Sequence, residues 1–488
     1  MSNQGASVIF HSKIAKAIGL ILISIVLMQC STSTTLESKD IKPNILLILA
    51  DDMGYGDLEC YGGIAKTPNL NQLATDGIRF SNFYAAAPNC SPSRVGLMTG
   101  ISPSKMGMYS YRPPGSQMHL REEAVTIAEV LKAEKYQTAH IGKWHLGCLP
   151  QDPALNHPQP VDQGFDYSMG TENNAIPSHL NPVNFIRNGV RIGEQKGYSC
   201  QLLVDETEIW FENNYDPVDP FFMYVAFHEP HAVVASPPAL VAKYSDYPQK
   251  RAEYLANVEN LDIAVGRIIN SLKERGLFEN TMIIFASDNG SYRLDANGGL
   301  KAVKSFVYEG GIRVPGIIHW PALKRKAIEI NEAAGFVDVL PTICEVLNVQ
   351  TRDRDLDGTS MLPLLQNRPY KREKPLSWFF YRTSPEMSMR IGDHVILAAA
   401  MDTTPLTHRF SMPDMGYVRT MSFASYELYD LASDPIQENN LIDTHSNASY
   451  YKNAINQQLQ DIQENGYKWE TLPEASGNMK LKKEWVRY

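Results

Sequence analysis

Residues Asn44 to Gly54 read NILLILADDMG, an apolar run that ends abruptly in two adjacent carboxylates. Apolar side chains occupy both alternations of Asn44–Leu49, the pattern of a strand buried on both faces of a sheet. Three runs further along share that character: Phe221–Phe227, Met282–Phe285 and Ile312–His319. Helical spacing lies between them, over Thr126–Glu134 and Tyr254–Lys273. Strands alternating with helices predict an α/β fold whose large sheet is covered on both faces. No internal repeat interrupts the order. The Lys/Arg/Pro-rich stretch Asn367–Pro375 breaks the pattern and reads as a boundary. Beyond it come shorter strands, such as His394–Ala398, and a late helix near Tyr450–Glu464. The expectation is a large α/β domain over 41–366 and a smaller C-terminal α+β domain over 367–488.

At 488 residues the chain is long enough for more than one domain. Its 43% hydrophobic and 20% charged residues suit a soluble globular enzyme, not a disordered or fibrous chain. A formal charge of -9 speaks against a nucleic-acid partner, which needs clustered Lys and Arg. An anionic substrate would have to be drawn in by a local positive pocket.

Lys13 and Lys16 precede an apolar run, Ala17–Met28, too short to span a bilayer but suited to an export signal over residues 1–30. Cys30 follows at once, then the Ser/Thr-rich Ser31–Thr35. This resembles a bacterial lipoprotein signal, with Cys30 lipidated, although Met28 and Gln29 stand where small residues are usual. The expectation is export to the periplasm or outer membrane, with membrane attachment only through that lipid anchor. Of the six cysteines, Cys60, Cys148, Cys200 and Cys344 show no metal spacing and leave room for one or two disulfides.

Sites in α/β sheets gather at the carboxyl ends of strands. One strand ends in Asp51-Asp52 and another in Ser287-Asp288-Asn289-Gly290. Either alone is an ordinary turn signal. Together they supply three carboxylates and an amide oxygen, a ligand set that suits Ca²⁺ or Mg²⁺ rather than zinc. Cys90-Ser91-Pro92-Ser93-Arg94 carries helix-start residues, placing Cys90 at a helix N-terminus where N–H groups face an anion.

Cys90-x-Pro92-Ser93-Arg94 followed by Thr99-Gly100 resembles the modification signature of type I sulfatases. Asn44–Gly54, Gly142-Lys143-Trp144-His145-Leu146-Gly147, Ser287–Gly290, Lys304 with Glu309–Pro315, and Glu427–Leu441 are similar to further family segments, in the same order. The resemblance implies an alkaline-phosphatase-like sandwich built on a large central mixed sheet. It implies that a dedicated maturation enzyme, formylglycine-generating or anaerobic, oxidises Cys90 to formylglycine (3-oxoalanine), whose hydrate is the nucleophile. Asp51, Asp52, Asp288 and Asn289 would hold one Ca²⁺, completed by the modified Cys90. Arg94 would orient the hydrate, and Lys143 and Lys304 would bind sulfate oxygens. The histidine matching His145 would help release sulfate, and that matching His231 would protonate the leaving oxygen. In His228-Glu229-Pro230-His231 the proline usual two residues after the histidine is replaced by Val233, so His228 stays open as the acid beside the preferred His231.

The polar, Pro-punctuated loop Thr171–Asn188 and the segment Phe227–Ala242 are similar to bacterial sulfatases acting on sulfated galactose or N-acetylgalactosamine. The expected substrate is thus a sulfated poly- or oligosaccharide, either a glycosaminoglycan or an algal glycan such as carrageenan or ulvan. Asn174 and His228 are candidate substrate contacts. Two rival readings are a phosphatase or phosphodiesterase of the same fold, and a non-catalytic lipoprotein that binds sulfated glycans.

Overall fold

The structure, a computed structural model, describes residues 42–150, 155–350, 355–382, 385–400, 407–408, 410–470 and 479–480. The expected leader, with Cys30, lies outside the described residues. No described helix is long and apolar enough to cross a membrane.

Strands β1 (Asn44–Asp51), β2 (Ile78–Tyr84), β3 (Gln137–Lys143), β4 (Tyr167–Thr171), β5 (Phe185–Arg187), β6 (Val190–Gly193), β7 (Phe221–Pro230), β8 (Thr281–Ser287), β9 (Arg313–His319), β10 (Ile328–Ile330) and β11 (Ala334–Gly335) form one mixed sheet. Its order is β10-β2-β9-β8-β1-β7-β3-β4-β5-β6, with β11 also on β2. The centre, β8-β1-β7-β3-β4, is parallel, and β9 runs antiparallel to both β8 and β2. The expected mixed α/β architecture is present.

Alternation along β1 explains why this run is apolar throughout. Ile45, Leu47 and Leu49 enter one core, and Leu46, Ile48 and Ala50 enter the other. Helices α1 (Pro68–Asp76), α4 (Ser199–Asn213) and α5 (Gln249–Glu274) cover the second face. The first face receives α2 (Cys90–Thr99), α3 (Ile127–Ala133) and α6 (Val339–Val346). It also receives a four-stranded antiparallel sheet of β12 (Leu376–Tyr381), β13 (Pro385–Ile391), β14 (His394–Ala399) and β16 (Ser425–Asp430), backed by α7 (Ala448–Asn465). Between β14 and β16 lies β15 (Thr407–His408), which pairs with β17 (Met479–Lys480). The small sheet shares its core with the large one, and Trp378 Nε1 donates to Ala85 O at 2.7 Å across the junction.

Local chemistry sets the element ends. Thr126 opens α3 through a capping box: its Oγ1 accepts from Glu129 N at 3.2 Å, and Glu129 Oε2 accepts from Thr126 N at 2.8 Å. Helix α5 begins at Gln249, a turn before the apolar period at Tyr254; its first turn is largely polar and so leaves no apolar signal. Ile312 ends a short helical turn, Glu309–Ile312, rather than opening β9. The disulfides for which the sequence left room are not formed among the described cysteines. Cys200 and Cys344 lie in the cores on opposite faces of the sheet, beyond bonding reach.

His140, on β3, shows what this packing does to a titratable group. Its ring is buried among Trp144, Phe165 and Tyr224, and burial pushes its pKa down to about 3. The folded protein therefore declines a proton that the unfolded chain takes up below about 6.5. Stability falls as pH drops from 6.5 towards 3, by at most about 1.4 kcal/mol per pH unit for this group. His140→Gln is expected to show a shallower acid slope of melting temperature than the parent.

Candidate active site

Register builds the site. β1 and β8 pair in parallel with Ala50 opposite Ser287, so Asp51-Asp52 and Asp288-Asn289 leave the sheet side by side. Asp288 N donates to Ala50 O at 3.0 Å and Asp52 N to Asp288 Oδ1 at 3.1 Å, locking the two turns together. On the other flank β7 runs to Pro230, opposite Asp51, and delivers His231. β3 ends in Lys143. Gly142 before it has φ +113, and a Cβ there would lie 1.9 Å from Ala226 O, so no other residue fits. Asp52 (φ 64) and His145 (φ 56) hold left-handed backbone that non-glycine residues avoid, a local strain at two site residues.

Cys90 opens α2, whose residues are all buried. Its N–H donates to Asn89 Oδ1 at 3.0 Å, and Asn89 Nδ2 donates to Ser305 Oγ at 2.9 Å, tying the helix start to the Lys304 loop. Cys90 Sγ lies 3.5 Å from Asp51 Oδ1, 3.8 Å from Asp52 Oδ1 and 3.2 Å from Lys304 Nζ. Burial, with Asp288 near by, pushes its thiol well above the usual range. A cysteine nucleophile needs the opposite shift.

Three buried cations face three buried carboxylates. Arg94 Nε and Nη2 donate to Asp288 Oδ2 at 3.1 and 2.8 Å, and its Nη1 donates to Lys143 O at 2.8 Å. Lys143 Nζ donates to Asp51 Oδ2 at 2.7 Å. Lys304 Nζ reaches both Asp52 oxygens, at 2.7 and 2.9 Å. Burial raises the Asp51 and Asp52 pKa values, but the lysines and His231 outweigh it and hold both carboxyls below their ordinary range. For Lys304, burial works against the charge, yet Asp52 and its neighbours keep the pKa well above normal.

The histidines separate cleanly. His231 Nε2 lies 3.5 Å from Asp52 Oδ2, with a side chain 20% exposed. His145 Nε2 donates to Arg112 O at 2.8 Å, which leaves its buried Nδ1 as an unpartnered lone pair. His228, expected as a substrate contact or alternative acid, is instead sealed inside. Its Nε2 lies 2.8 Å from Thr171 Oγ1, its ring stacks on Phe185, and burial holds its pKa well below normal. Asn174 does reach the site, its Oδ1 3.5 Å from Lys143 Nζ.

Ligand atoms of Asp51, Asp52, Cys90 and His231 all lie within 4.8 Å of one another, a cluster able to hold a metal ion. Asn289 donates through Nδ2 to Asp52 Oδ1 at 2.7 Å, while its Oδ1 is buried without a partner. A buried amide oxygen left unsatisfied beside carboxylates is a ligand in waiting for a hard cation. The residues present fit the group.

Three cations and three carboxylates thus close around a buried cysteine, and comparison with known proteins names the family. The sulfatase family profile matches residues 43–349, more than half of the chain. The chain belongs to the sulfatase family. This sulfatase is therefore a sulfuric ester hydrolase. Its residues 302–465 also match the C-terminal region of N-sulphoglucosamine sulphohydrolase. Human arylsulfatase A is 31% identical over 439 residues, covering 82% of the sulfatase and 83% of that relative. Human N-acetylgalactosamine-6-sulfatase is 32% identical over 384 residues, covering 72% and 70%. The crystal structure of Ps i-CgsB in complex with k-i-k-neocarrahexaose superposes with a TM-score of 0.75 at 26% identity, over 88% of the sulfatase and 95% of that chain. A phosphonate monoester hydrolase of Agrobacterium radiobacter shares the fold at a TM-score of 0.61 and 19% identity.

Several supporting residues of the sulfatase carry no sequence signal of their own. Tyr224, inside β7, lies 3.2 Å from Arg94 Nη1 through its hydroxyl. Arg112 offers His145 its carbonyl and anchors its guanidinium on Glu172 Oε1 at 2.7 Å. Both sit in stretches whose role appears only when distant segments meet. Asn89, directly before Cys90, was missed, although asparagine is a favoured helix-cap residue and that preference could have found it.

Proposed function

We propose that this sulfatase hydrolyses sulfate esters of a sulfated poly- or oligosaccharide, using formylglycine made from Cys90 and one Ca²⁺. The observation that carries the reading is Cys90 itself, a buried thiol at a helix start with Asp51, Asp52 and Lys304 about its sulfur. Formylglycine would supply, as its hydrate, an oxygen nucleophile that the thiol cannot. Asp51, Asp52, Asp288 and Asn289 would hold the ion, which would supply positive charge beside the reacting oxygen.

The chain's own residues do the rest. With three cations against three carboxylates the pocket's own charges balance, so with a divalent ion bound it would be net positive and would favour an anionic ester. Lys143 and Lys304 reach into the centre as compact charges that hold sulfate oxygens. Arg94 spans Asp288 and the Lys143 carbonyl, fixing the metal end against the sulfate end. His231, at the open side, gives its proton to the leaving oxygen. His145, fixed as the Nε2–H tautomer by Arg112 O, presents Nδ1 as the base.

Names of the relatives support a carbohydrate ester: one is an N-acetylgalactosamine-6-sulfatase, and Ps i-CgsB was solved with k-i-k-neocarrahexaose. The leader at Lys13–Cys30 supports a place outside the cytoplasmic membrane. Sulfate release from defined sulfated galactose, galactosamine, rhamnose and uronic-acid oligomers tests the substrate class. A preference for phosphate over sulfate esters would overturn the reading in favour of a phosphatase.

Metal removal gives a second test. A chelator is expected to abolish turnover and lower the melting temperature, and Ca²⁺ at 100 times its dissociation constant should restore about 2.7 kcal/mol. No change in melting temperature on chelation and re-addition would contradict a bound ion.

A further inference from the structure

Burial decides where the alcohol half of the ester leaves the site. The side chains of Asp51, Arg94 and Lys143 are 0% exposed, that of Lys304 10% and that of His231 20%. With sulfate held against the lysines, the rest of the substrate must extend past His231, the open side.

The segments tied to that side carry exposed aliphatic groups. Val233, two residues beyond His231, is 59% exposed, and Ile176 and Val183 are 55% and 47% exposed. They are also held in place. Val183 N donates to Ile176 O at 2.8 Å, Ile176 N to Asn184 Oδ1 at 2.9 Å, and Asn184 Nδ2 to Asn174 O at 2.8 Å, closing the loop on itself. His179 N donates to Val233 O at 3.2 Å, stapling this loop to the segment that carries His231. At the loop's base Asn174 meets Lys143. The aliphatic groups are thereby fixed relative to both the sulfate-binding lysine and the candidate acid.

We propose that Ile176, Val183 and Val233 form an apolar ledge that receives the C–H face of the sugar ring bearing the sulfate. The inference rests on the sulfatase reading above and adds residues that set substrate preference. Branched aliphatic groups suit the C–H face of a pyranose, which offers no hydrogen-bonding group there and loses water on contact.

The test compares converted wild-type enzyme with Ile176→Ser/Val183→Ser and with Val233→Ser on a sulfated hexopyranoside, using inorganic sulfate as a competitive probe of the inner pocket. Each variant is expected to raise KM about 10-fold, with kcat and inhibition by sulfate within about twofold of wild type. Val233→Ile, which keeps an aliphatic surface, should retain the parent KM. Unchanged KM in both serine variants would remove the ledge while leaving the sulfatase intact. A matching loss of sulfate inhibition would mean a deformed pocket and would equally overturn it. Absence of sulfate release from every ring ester by wild type would sink the sulfatase reading, and the ledge with it.

Discussion

Cys90→Ala, produced beside a maturation enzyme, is expected to release sulfate about 10⁴-fold more slowly than the parent or worse, the scale seen when a nucleophile is deleted. The fold should survive. Alanine keeps the Cβ and the N–H that donates to Asn89, and the lost sulfur's polar contacts are with Asp51, Asp52 and Lys304. Near-parental melting temperature with collapsed turnover would separate chemistry from stability. Cys90→Ser sharpens the result, because serine is the nucleophile a phosphatase of this fold would use. If the serine protein hydrolysed phosphate esters while the parent preferred sulfate, the pocket would be generic and the residue at 90 would set the reaction. Sulfate release retained by Cys90→Ala would refute the mechanism outright.

Arg94→Ala should give the largest stability effect. The guanidinium is fully buried and forks onto Asp288 while bonding the Lys143 carbonyl. Its removal leaves Asp288 charged and buried without that partner, which costs about 3–5 kcal/mol in comparable sites. Arg94→Lys would restore the charge but not the planar fork, and should recover only part of the loss. Urea unfolding of parent and both variants in chelator measures this, since a bound ion would mask part of the defect. A loss under about 1 kcal/mol for Arg94→Ala would show that Asp288 relies on other groups.

Much of this was legible in the sequence because it depends on local pattern. A strand buried on both faces has to be apolar throughout, so Asn44–Leu49 announced the centre of the sheet. Strand-end carboxylates announced the site, since parallel register carries Asp51-Asp52 and Asp288-Asn289 to one edge. Cys90 with its serines and proline announced a helix start. Less legible was anything that depends on which segments meet. The sequence preferred His231 as the acid but left His228 open; the run of β7 to Pro230, with His228 still inside the strand, buries one and opens the other. Tyr224 looked like any core aromatic until Arg94 arrived from α2. Antiparallel strands do follow the stretch near Asn367, yet composition gave no sign that their small sheet shares the core of the large one.

One peptide mass tests the central claim most directly. Protein made in a maturation-competent cell is digested, and the peptide containing Cys90 is weighed with and without an aldehyde-reactive reagent. The account predicts a residue in which aldehyde has replaced thiol, in proportion to specific activity across partly converted preparations. Fully active protein whose Cys90 peptide carries an intact thiol would contradict it.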